Sequence, residues 1–387
     1  MRQAAVIATL ALAIAACSSD DAATTTTQPP PTTTAAPTST TATVPATTTT
    51  TTVAPTSTTA PTTTTTTVPS PTTFDAEWTF TAEIADEEQP ALPAAGDGGR
   101  WDGTFRFSPE VVIVDGVHHM FYTGWGPVRV AIGLATSEDG RVFEPVGEEP
   151  ILEIREPVAG RTALATAPVV RIADDGTWVM YFGHLISKRF PGRALLRATA
   201  PAPEGPWEID PEPVFTTGSG DWDAQFLPQS IAPHDGGFVL VYDGPESEVN
   251  RVGALRSDDG VTFTPVADDP VMEESPVPAW DAAGPASPVL FTGPDGELEM
   301  FYVGLEGQDR TLPNELRLGY ARSTDGGATW ERFAGNPVVT IPTQGATAGS
   351  LGYPWLGGAR VGEAYRIYYA LSAGANGIGF VDVVIDR

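Results

Sequence analysis

The sequence is poor in cysteine, histidine and basic residues. It contains one cysteine, Cys17, and four histidines. A single cysteine cannot form an internal disulfide, so a disulfide-stapled scaffold is excluded. The 21 basic residues stand against 49 acidic ones, which gives a formal net charge of −28. A surface of this charge repels a phosphate backbone, so we expect no nucleic-acid partner.

The sequence signatures of cofactor and metal sites are missing too. There is no Gly-rich phosphate loop, no EF-hand spacing and no zinc-type cluster of cysteines and histidines. A serine nucleophile elbow is likewise absent from the sequence. We therefore predict neither a cofactor nor a metal ion.

The N-terminus has the pattern of an export signal. Arg2 precedes an apolar stretch over residues 4–14, which is too short to span a bilayer as a mature helix. The run Ile14-Ala15-Ala16-Cys17 that follows is similar to a bacterial lipobox, in which the cysteine becomes acylated. We expect residues 1–17 to be a lipoprotein signal peptide and Cys17 to be the lipidation site, with an ordinary secretory signal as the alternative.

Residues 18–73 consist largely of Thr, Pro, Ala, Ser and Val. Such a segment buries too little apolar surface to offset the entropy cost of ordering, so we predict a disordered stalk. The remaining residues, 74–387, have globular composition and are predicted to form one folded domain.

One unit recurs along residues 74–387: a proline, an apolar strand, an Asp-Gly turn and a second strand rich in aromatics. The prolines of the first four units recur about every 60 residues, at Pro109, Pro168, Pro228 and Pro288. A third strand follows, and an aromatic residue opens a fourth in those units: Phe143, Trp207, Phe263 and Trp330. Repeated four-stranded units predict an all-β fold, a five-bladed β-propeller.

The fifth unit lacks its fourth strand, because the chain ends soon after Phe380. The segment beginning Glu77-Trp78-Thr79-Phe80 copies the missing pattern. We therefore expect the N-terminal strand to close the ring by pairing with the C-terminal blade, which hides both strand edges.

These units, and the Gly205-Pro206-Trp207-Glu208 turn, resemble the five-bladed propeller glycosidases of glycoside hydrolase families 32, 43, 62, 68 and 130. The resemblance covers residues 74–387 and implies an axial pocket into which carboxylates from several blades project. At the positions where it implies the family 43 acids, this chain has Ser108, Val169 and Phe226. Ordinary family 43 hydrolysis is therefore not expected.

Three interblade segments repeat a Trp-Asp pair, which supplies other candidates for a site at the axis. An indole stacks on sugar C–H surfaces, and an aspartate accepts hydroxyl hydrogen bonds or acts as acid or base. The candidate catalytic residues are Asp102, Asp223 and Asp281. The candidate substrate-binding residues are Trp101, Arg106, Trp125, His184, Trp222, Gln225, Asp243, Trp280 and Glu306. The alternative is that the repeated Trp-Asp pair fastens neighbouring blades together.

The run Ser323-Thr324-Asp325-Gly326-Gly327 resembles the Asp-box of sialidases, with weaker copies at residues 137–140 and 257–260. Asp-boxes stabilise turns on the face away from the pocket. Sialidases also require six blades and an arginine triad, which this sequence does not supply, so a sialidase is the less favoured reading.

Two functions remain open at this level. The first is a surface glycoside hydrolase that draws its acids from Asp102, Asp223 and Asp281. The second is a non-catalytic glycan-binding or adhesion propeller that has lost the family's carboxylates. Both predict a carbohydrate ligand, a membrane bound only through the lipid anchor, and a monomer. Both place the protein on the extracellular face of the bacterial cytoplasmic membrane, exposed to the cell wall.

Overall fold

The computed structural model describes residues 70–85, 90–96, 99–127, 129–154, 157–158, 161–162, 164–185, 194–217, 222–245, 249–306, 315–342, 353–371 and 377–387. Every regular element in these ranges is a β-strand. Within them no helix is long and apolar enough to cross a membrane. The predicted signal peptide with Cys17, and nearly all of the predicted stalk, lie outside the described residues.

The strands form five successive sheets that correspond to five blades. Two strands precede the first blade: β1 (Thr73–Phe74) and β2 (Thr79–Ile84). Blade I contains β3 (Phe105–Val114), β4 (Val117–Trp125), β5 (Val130–Ser137) and β6 (Glu144–Pro145). A small separate hairpin follows, made of β7 (Pro157–Val158) and β8 (Arg161–Thr162). Blade II contains β9 (Leu164–Ile172), β10 (Trp178–Leu185), β11 (Ala194–Ala200), β12 (Glu208–Ile209) and β13 (Phe215–Thr216).

The remaining blades repeat the same antiparallel order. Blade III contains β14 (Leu227–His234), β15 (Gly237–Pro245), β16 (Asn250–Ser257) and β17 (Thr264–Pro265). Blade IV contains β18 (Gly284–Thr292), β19 (Leu298–Leu305), β20 (Glu315–Ser323), β21 (Glu331–Phe333) and β22 (Val339–Pro342). Blade V contains β23 (Pro354–Val361), β24 (Ala364–Leu371) and β25 (Ile378–Asp386). The prediction of an all-β, five-bladed propeller with four-stranded blades is confirmed.

The Asp-Gly dipeptides form the inner hairpins, as their sequence predicts. Asp115 and Gly116 both have positive φ, at 50° and 82°, and Asp235 and Gly236 repeat this with 47° and 77°. Two successive left-handed residues are the requirement of a type I′ turn, whose twist matches that of antiparallel strands.

The innermost strands β3, β9, β14, β18 and β23 each contact the next, and β23 contacts β3 to complete the ring. Strands β14 and β23 belong to non-adjacent blades but also approach each other, so the axis is narrow. The outer strand of blade V is β2, which pairs antiparallel with β25 from Thr79–Asp386 to Ile84–Val381. The predicted closure by the N-terminal strand is thereby confirmed.

The first strand, β1, was not predicted and belongs to a different blade. It pairs in parallel with β21 at the outer edge of blade IV, through Thr73 with Arg332 and Phe74 with Phe333. The chain then crosses to blade V, and Phe80 packs against Tyr320 and Phe333 with ring centroids 5.3 and 5.1 Å apart. The N-terminal segment therefore fastens blades IV and V together.

A bulge recurs near the start of the inner strands. Ser108, Ala167 and Ser287 have left-handed φ of 49°, 53° and 49°, and each directly precedes a repeat proline. In blade III the register shifts between Pro228 and Ser230. Pro228 thus precedes the shift, whereas the other three prolines follow the left-handed residue. The sequence aligns Pro228 with the other repeat prolines. This alignment is wrong by one residue, because in the structure Pro228 lies one residue earlier in its repeat than the other three prolines do.

We predict that Phe80→Ala lowers the free energy of unfolding by about 2–3 kcal/mol, because the aromatic cluster that seals blades IV and V loses its central ring. Urea denaturation measures this change. Thr81→Ala is the matched control, since Thr81 is exposed on the same strand. Equal midpoints for the two variants would show that β2 does not hold the ring closed.

Candidate functional site

The three Trp-Asp pairs occupy equivalent places in blades I, III and IV. Each aspartate precedes the inner strand of its blade and accepts a hydrogen bond from a tyrosine hydroxyl on the second strand. The pairs are Tyr122 with Asp102 at 3.0 Å, Tyr242 with Asp223 at 2.8 Å, and Tyr302 with Asp281 at 3.4 Å. The segment before each inner strand is thereby fastened to its own blade.

Each tryptophan of these pairs lies against the same tyrosine. The ring centroids of Trp101 and Tyr122 are 6.0 Å apart, those of Trp222 and Tyr242 5.9 Å, and those of Trp280 and Tyr302 5.7 Å. The indoles fit because the blade has a glycine opposite each of them. A Cβ on Gly124, Gly244 or Gly304 would lie 2.2, 2.4 or 2.0 Å from the facing indole.

Two of the aspartates also neutralise buried arginines. Asp102 is fully buried and binds Arg100 at 3.0 Å and Arg106 at 2.8 Å. Burial alone would raise the pKa of Asp102, but the hydrogen bond from Arg100 and the charge and hydrogen bond of Arg106 outweigh it and hold that pKa below its usual value. Asp281, 2% exposed, binds Arg332 at 2.9 Å.

These pairs lie at interfaces between blades. Tyr122 and Trp101 pack with residues of blade V, Tyr242 and Trp222 with residues of blade II, and Tyr302 and Trp280 with residues of blade III. Among the described contacts, none of the three aspartates touches another. The tryptophans and tyrosines of the pairs share buried clusters with a neighbouring blade, whereas the described bonds of the aspartate side chains lie within their own blade. The catalytic role of Asp102, Asp223 and Asp281 stays a prediction.

The axial ends of the inner strands converge on an apolar floor. Phe107 of blade I, Ala167 of blade II, Leu227 of blade III and Trp355 of blade V belong to one buried cluster, which we call the axial floor. The rings of Phe107 and Trp355 are 5.2 Å apart, and Tyr353 stands edge-on to Trp355 at 5.2 Å. The floor closes the axis with aromatic and aliphatic side chains.

Asp243 joins three blades beside this floor. It is fully buried at the pocket end of β15. Its carboxylate accepts hydrogen bonds from Gln229 at 2.7 Å, Asn250 at 3.0 Å and the Tyr353 hydroxyl at 2.6 Å. The backbone N–H of Ser287 donates to both carboxylate oxygens, at 3.2 and 3.0 Å. The Asp243 carboxylate therefore ties segments of blades III, IV and V together.

The other predicted binding residues are dispersed. Arg106 is held by Asp102 and by the carbonyl of Pro93 at 2.7 Å. Glu306 is exposed and pairs with Arg317 at 3.0 Å. Trp125 is half-buried at the end of β4, and His184 is buried, 3% exposed, near the end of β10. The contacts described for Arg106 and Glu306 are with other residues.

Three buried polar atoms on segments that carry or directly precede the floor residues have no hydrogen-bond partner among the described residues. They are the Ser108 Oγ, the Trp355 Nε1 and the Gln225 Oε1. Buried polar atoms normally find a partner, so these three are suited to a polar ligand. Their groups are neutral: a hydroxyl, an indole N–H donor and an amide acceptor.

Sequence reasoning missed Trp355 and Tyr353 because the repeat is weakest in blade V, where Gly357 and Gly358 interrupt the apolar run of β23. A Cβ on Gly357 would lie 1.9 Å from the carbonyl oxygen of Pro109, so β23 and β3 approach closely there. Sequence reasoning did identify Gln225, because the segment that precedes each inner strand is itself part of the repeat.

No known family model matches the chain, and no curated protein sequence matches it. Solved structures do. One is described in a study of GH130 mannoside phosphorylases and glycoside hydrolases that target β-1,2-mannosidic linkages in Candida mannan. It is 16% identical, covers 80% of this chain and 96% of its own, and has a TM-score of 0.55.

Two further structures give the same result. A thermostable family 43 glycoside hydrolase is 17% identical over 73% of this chain and 89% of its own, with a TM-score of 0.52. A family 117 glycoside hydrolase of the marine bacterium Zobellia galactanivorans is 17% identical over 79% and 90%, with a TM-score of 0.53. The chain has the fold of the five-bladed propeller glycosidases. At these identities the likeness shows the fold alone.

The positions at which the resemblance implies family 43 acids hold no carboxylate in this propeller. Ser108 lies in the bulge, Val169 is fully buried, and Phe226 packs on Tyr242 with ring centroids 4.5 Å apart. Among the described residues, no group of three or more His, Cys, Asp or Glu side chains could hold a metal ion.

We predict that Asp102→Asn lowers the free energy of unfolding by about 3–5 kcal/mol, because it leaves the buried Arg106 without its charge partner. Tyr122→Phe removes only a neutral hydroxyl and is expected to cost about 1 kcal/mol. Chemical denaturation of both variants measures the difference. An Asp102→Asn protein as stable as the parent but devoid of a glycosidase activity that the parent shows would instead establish the catalytic role.

Proposed function

We propose that this propeller is a carbohydrate-binding protein that receives its ligand at the axial floor. The observation that carries the proposal is the pairing of Trp355, Phe107 and Tyr353 with unpartnered neutral polar atoms. Aromatic rings stack on sugar C–H surfaces, and hydroxyl groups of a sugar match isolated donors and acceptors. The glycosidase fold of its structural neighbours supports a carbohydrate ligand.

Binding without hydrolysis is the reading that the described carboxylates favour. Glycoside hydrolysis requires two carboxyl groups that flank the scissile bond, about 5–10 Å apart. At this end of the propeller Asp243 accepts bonds from four residues, and Asp102 accepts bonds from two arginines and a tyrosine. Both carboxylates are thereby engaged in contacts within the protein. The binding experiment therefore also measures hydrolysis.

The N-terminal sequence supports a cellular location for the protein. Because Cys17 follows a lipobox-like run, we propose a lipid-anchored protein that displays the propeller as a monomer on a Thr/Pro-rich stalk, outside the cytoplasmic membrane. The anchor fixes the protein to its membrane, and the stalk gives the axial floor access to glycans of the cell wall or beyond.

We predict that Trp355→Phe weakens glycan binding about tenfold, equivalent to ~1.4 kcal/mol, since it keeps the aromatic ring but removes the indole N–H. Trp178→Phe is the matched control, because Trp178 is equally buried but begins β10 at the opposite end of the blade. A glycan array followed by titration calorimetry measures both affinities.

The same titrations are followed for released sugar. Unchanged affinity in Trp355→Phe would remove the axial floor as the binding site. Turnover of any glycoside by the parent protein would replace binding with hydrolysis, and Asp102→Asn, Asp223→Asn and Asp281→Asn would then identify the acid. Neither binding nor turnover across the array would contradict the proposed function.

We predict that Cys17→Ala abolishes incorporation of labelled fatty acid and releases the protein from the membrane fraction. Ser18→Ala is the control beside it, and is expected to leave both unchanged. Absence of label in the parent protein, or label that persists in Cys17→Ala, would show that Cys17 is not the lipid anchor.

A further inference from the structure

Glu110 is an acidic side chain in the middle of an inner strand. It lies on β3 and is 7% exposed. Its Oε1 accepts a hydrogen bond from the backbone N–H of Val170 on β9, at 3.4 Å. The described residues give it no ion pair. Among the described residues, a single backbone donor from the neighbouring blade is its polar contact.

The surroundings of Glu110 are apolar. Val112, two residues on along β3, points into the cluster that blade I shares with blade II, formed by residues such as Phe121, Val170 and Met180. By strand alternation Glu110 faces the same interface. Burial raises the pKa of Glu110 to about 8, and the N–H of Val170 lowers it only in part.

Few other titratable groups face this interface. His119 of β4 lies edge-on to Trp178 at 5.2 Å, and burial lowers the pKa of His119. His184 of β10 faces the same side as Phe182 by alternation. Arg171 of β9 points towards blade III, where it lies 4.2 Å from the Phe238 ring centroid. The described arginines therefore place no cation against Glu110.

The charged groups of blade V lie on the other side of β3. Arg366 of β24 is bound to Asp382 at 2.6 Å and to the carbonyl of Asp139 at 2.6 Å. Neither the arginine nor the aspartate contributes to the shift of the Glu110 pKa. The proton on Glu110 is thus governed by the I/II interface alone.

Blade III makes the same interblade bond with a neutral group. Ser230 stands at the position of Glu110, and its hydroxyl accepts from the backbone N–H of Leu290 on β18 at 3.0 Å. The other blades with a register shift have Val169 and Val289 at this position, paired with Tyr181 and Phe301. Glu110 therefore makes with an ionisable carboxyl the interblade bond that Ser230 makes with a hydroxyl.

The bond lies directly beneath the axial floor. Phe107 precedes Glu110 by three residues on β3, and Ala167 precedes Val170 by three residues on β9. Any change in the spacing of β3 and β9 at this level moves two of the four floor residues.

We propose that Glu110 is a proton-dependent clasp between blades I and II, which packs dry while it carries its proton and admits water when it ionises, loosening the axial floor. Ionisation of a buried carboxyl without a counter-charge requires hydration, and opening of the I/II interface supplies it. The consequence for ligand affinity rests on the proposed function, but the clasp itself does not.

The direction of the effect follows from the proton count. The folded protein keeps the Glu110 proton at pH values where the unfolded chain, with an ordinary glutamate near 4.5, has lost it. Stability from this group is therefore complete below about pH 4.5 and declines as the pH rises through about 8.

Amide hydrogen exchange of the full chain tests the clasp, because the molecule contains its own reference. Val170 N–H is bonded to Glu110, whereas Leu290 N–H is bonded to Ser230, which does not titrate. Their protection ratio cancels the intrinsic pH dependence of exchange. We expect the ratio of Val170 to Leu290 to be constant below about pH 4.5, to fall by up to about tenfold per pH unit between about pH 4.5 and 8, and to level off above about pH 8.

Two variants sharpen the result. Glu110→Gln is expected to abolish the pH dependence of the ratio, and Ser230→Ala to lower Leu290 protection equally at every pH. A constant ratio in the parent protein, or a fall that persists in Glu110→Gln, would overturn the clasp. Since no sugar is used, failure here is distinct from failure of the proposed function. If Glu110→Gln does not fold, the parent protein alone decides.

Discussion

The antiparallel pairing of β2 with β25 joins the two ends of the described chain within one blade. Without it, blade V would expose the edge of β25, and the interface between blades IV and V would lose its aromatic cover. An open strand edge is a template for aggregation, and an open propeller leaves two blade faces unpaired. The order of every inner strand around the axis, and with it the axial floor, depends on this one seam. The parallel addition of β1 to blade IV fastens the same seam a second time.

Hydrogen bonds from tyrosine hydroxyls recur at both ends of the blades, within a blade at the pocket end and between blades at the other end. At the pocket end the aspartates of the Trp-Asp pairs accept tyrosine hydroxyls. At the other end the Asp-box turns accept them: Tyr368 of blade V donates to the carbonyl of Gly140 at 2.8 Å, and Tyr181 of blade II to that of Gly260 at 2.7 Å. The turn itself is rigid, since backbone N–H groups of Thr262 and Val261 lower the pKa of Asp259 to about 2. The V/I and II/III interfaces thus combine an apolar centre with a tyrosine hydrogen bond, which specifies how the blades fit.

The buried carboxylates show how an acidic chain folds without self-repulsion in its interior. Glu299 is fully buried but accepts bonds from Tyr320, Tyr365 and Arg387. Asp102, Asp243 and Asp281 are compensated in the same way. Glu110 departs from this rule, because one backbone N–H is too little to stabilise a charge. Carboxylates with compensating partners hold segments of the fold together. Glu110, with its single described donor, is the carboxyl to which we assign a response to pH.

Local sequence determined much of this protein. The proline spacing, the Asp-Gly turns and the aromatic strand ends encode blades, because hairpins and strand alternation depend on neighbouring residues alone. The tertiary structure decided what the sequence left open. Whether Asp102 faces the axis or an adjoining blade depends on Tyr122 and on residues of blade V, which lie far along the chain. Trp355 joins the axial floor only because β14 and β23 meet across the axis, and Glu110 becomes a buried acid only when blade II covers it. Packing between distant segments sets the environment of a side chain, and no local pattern records it.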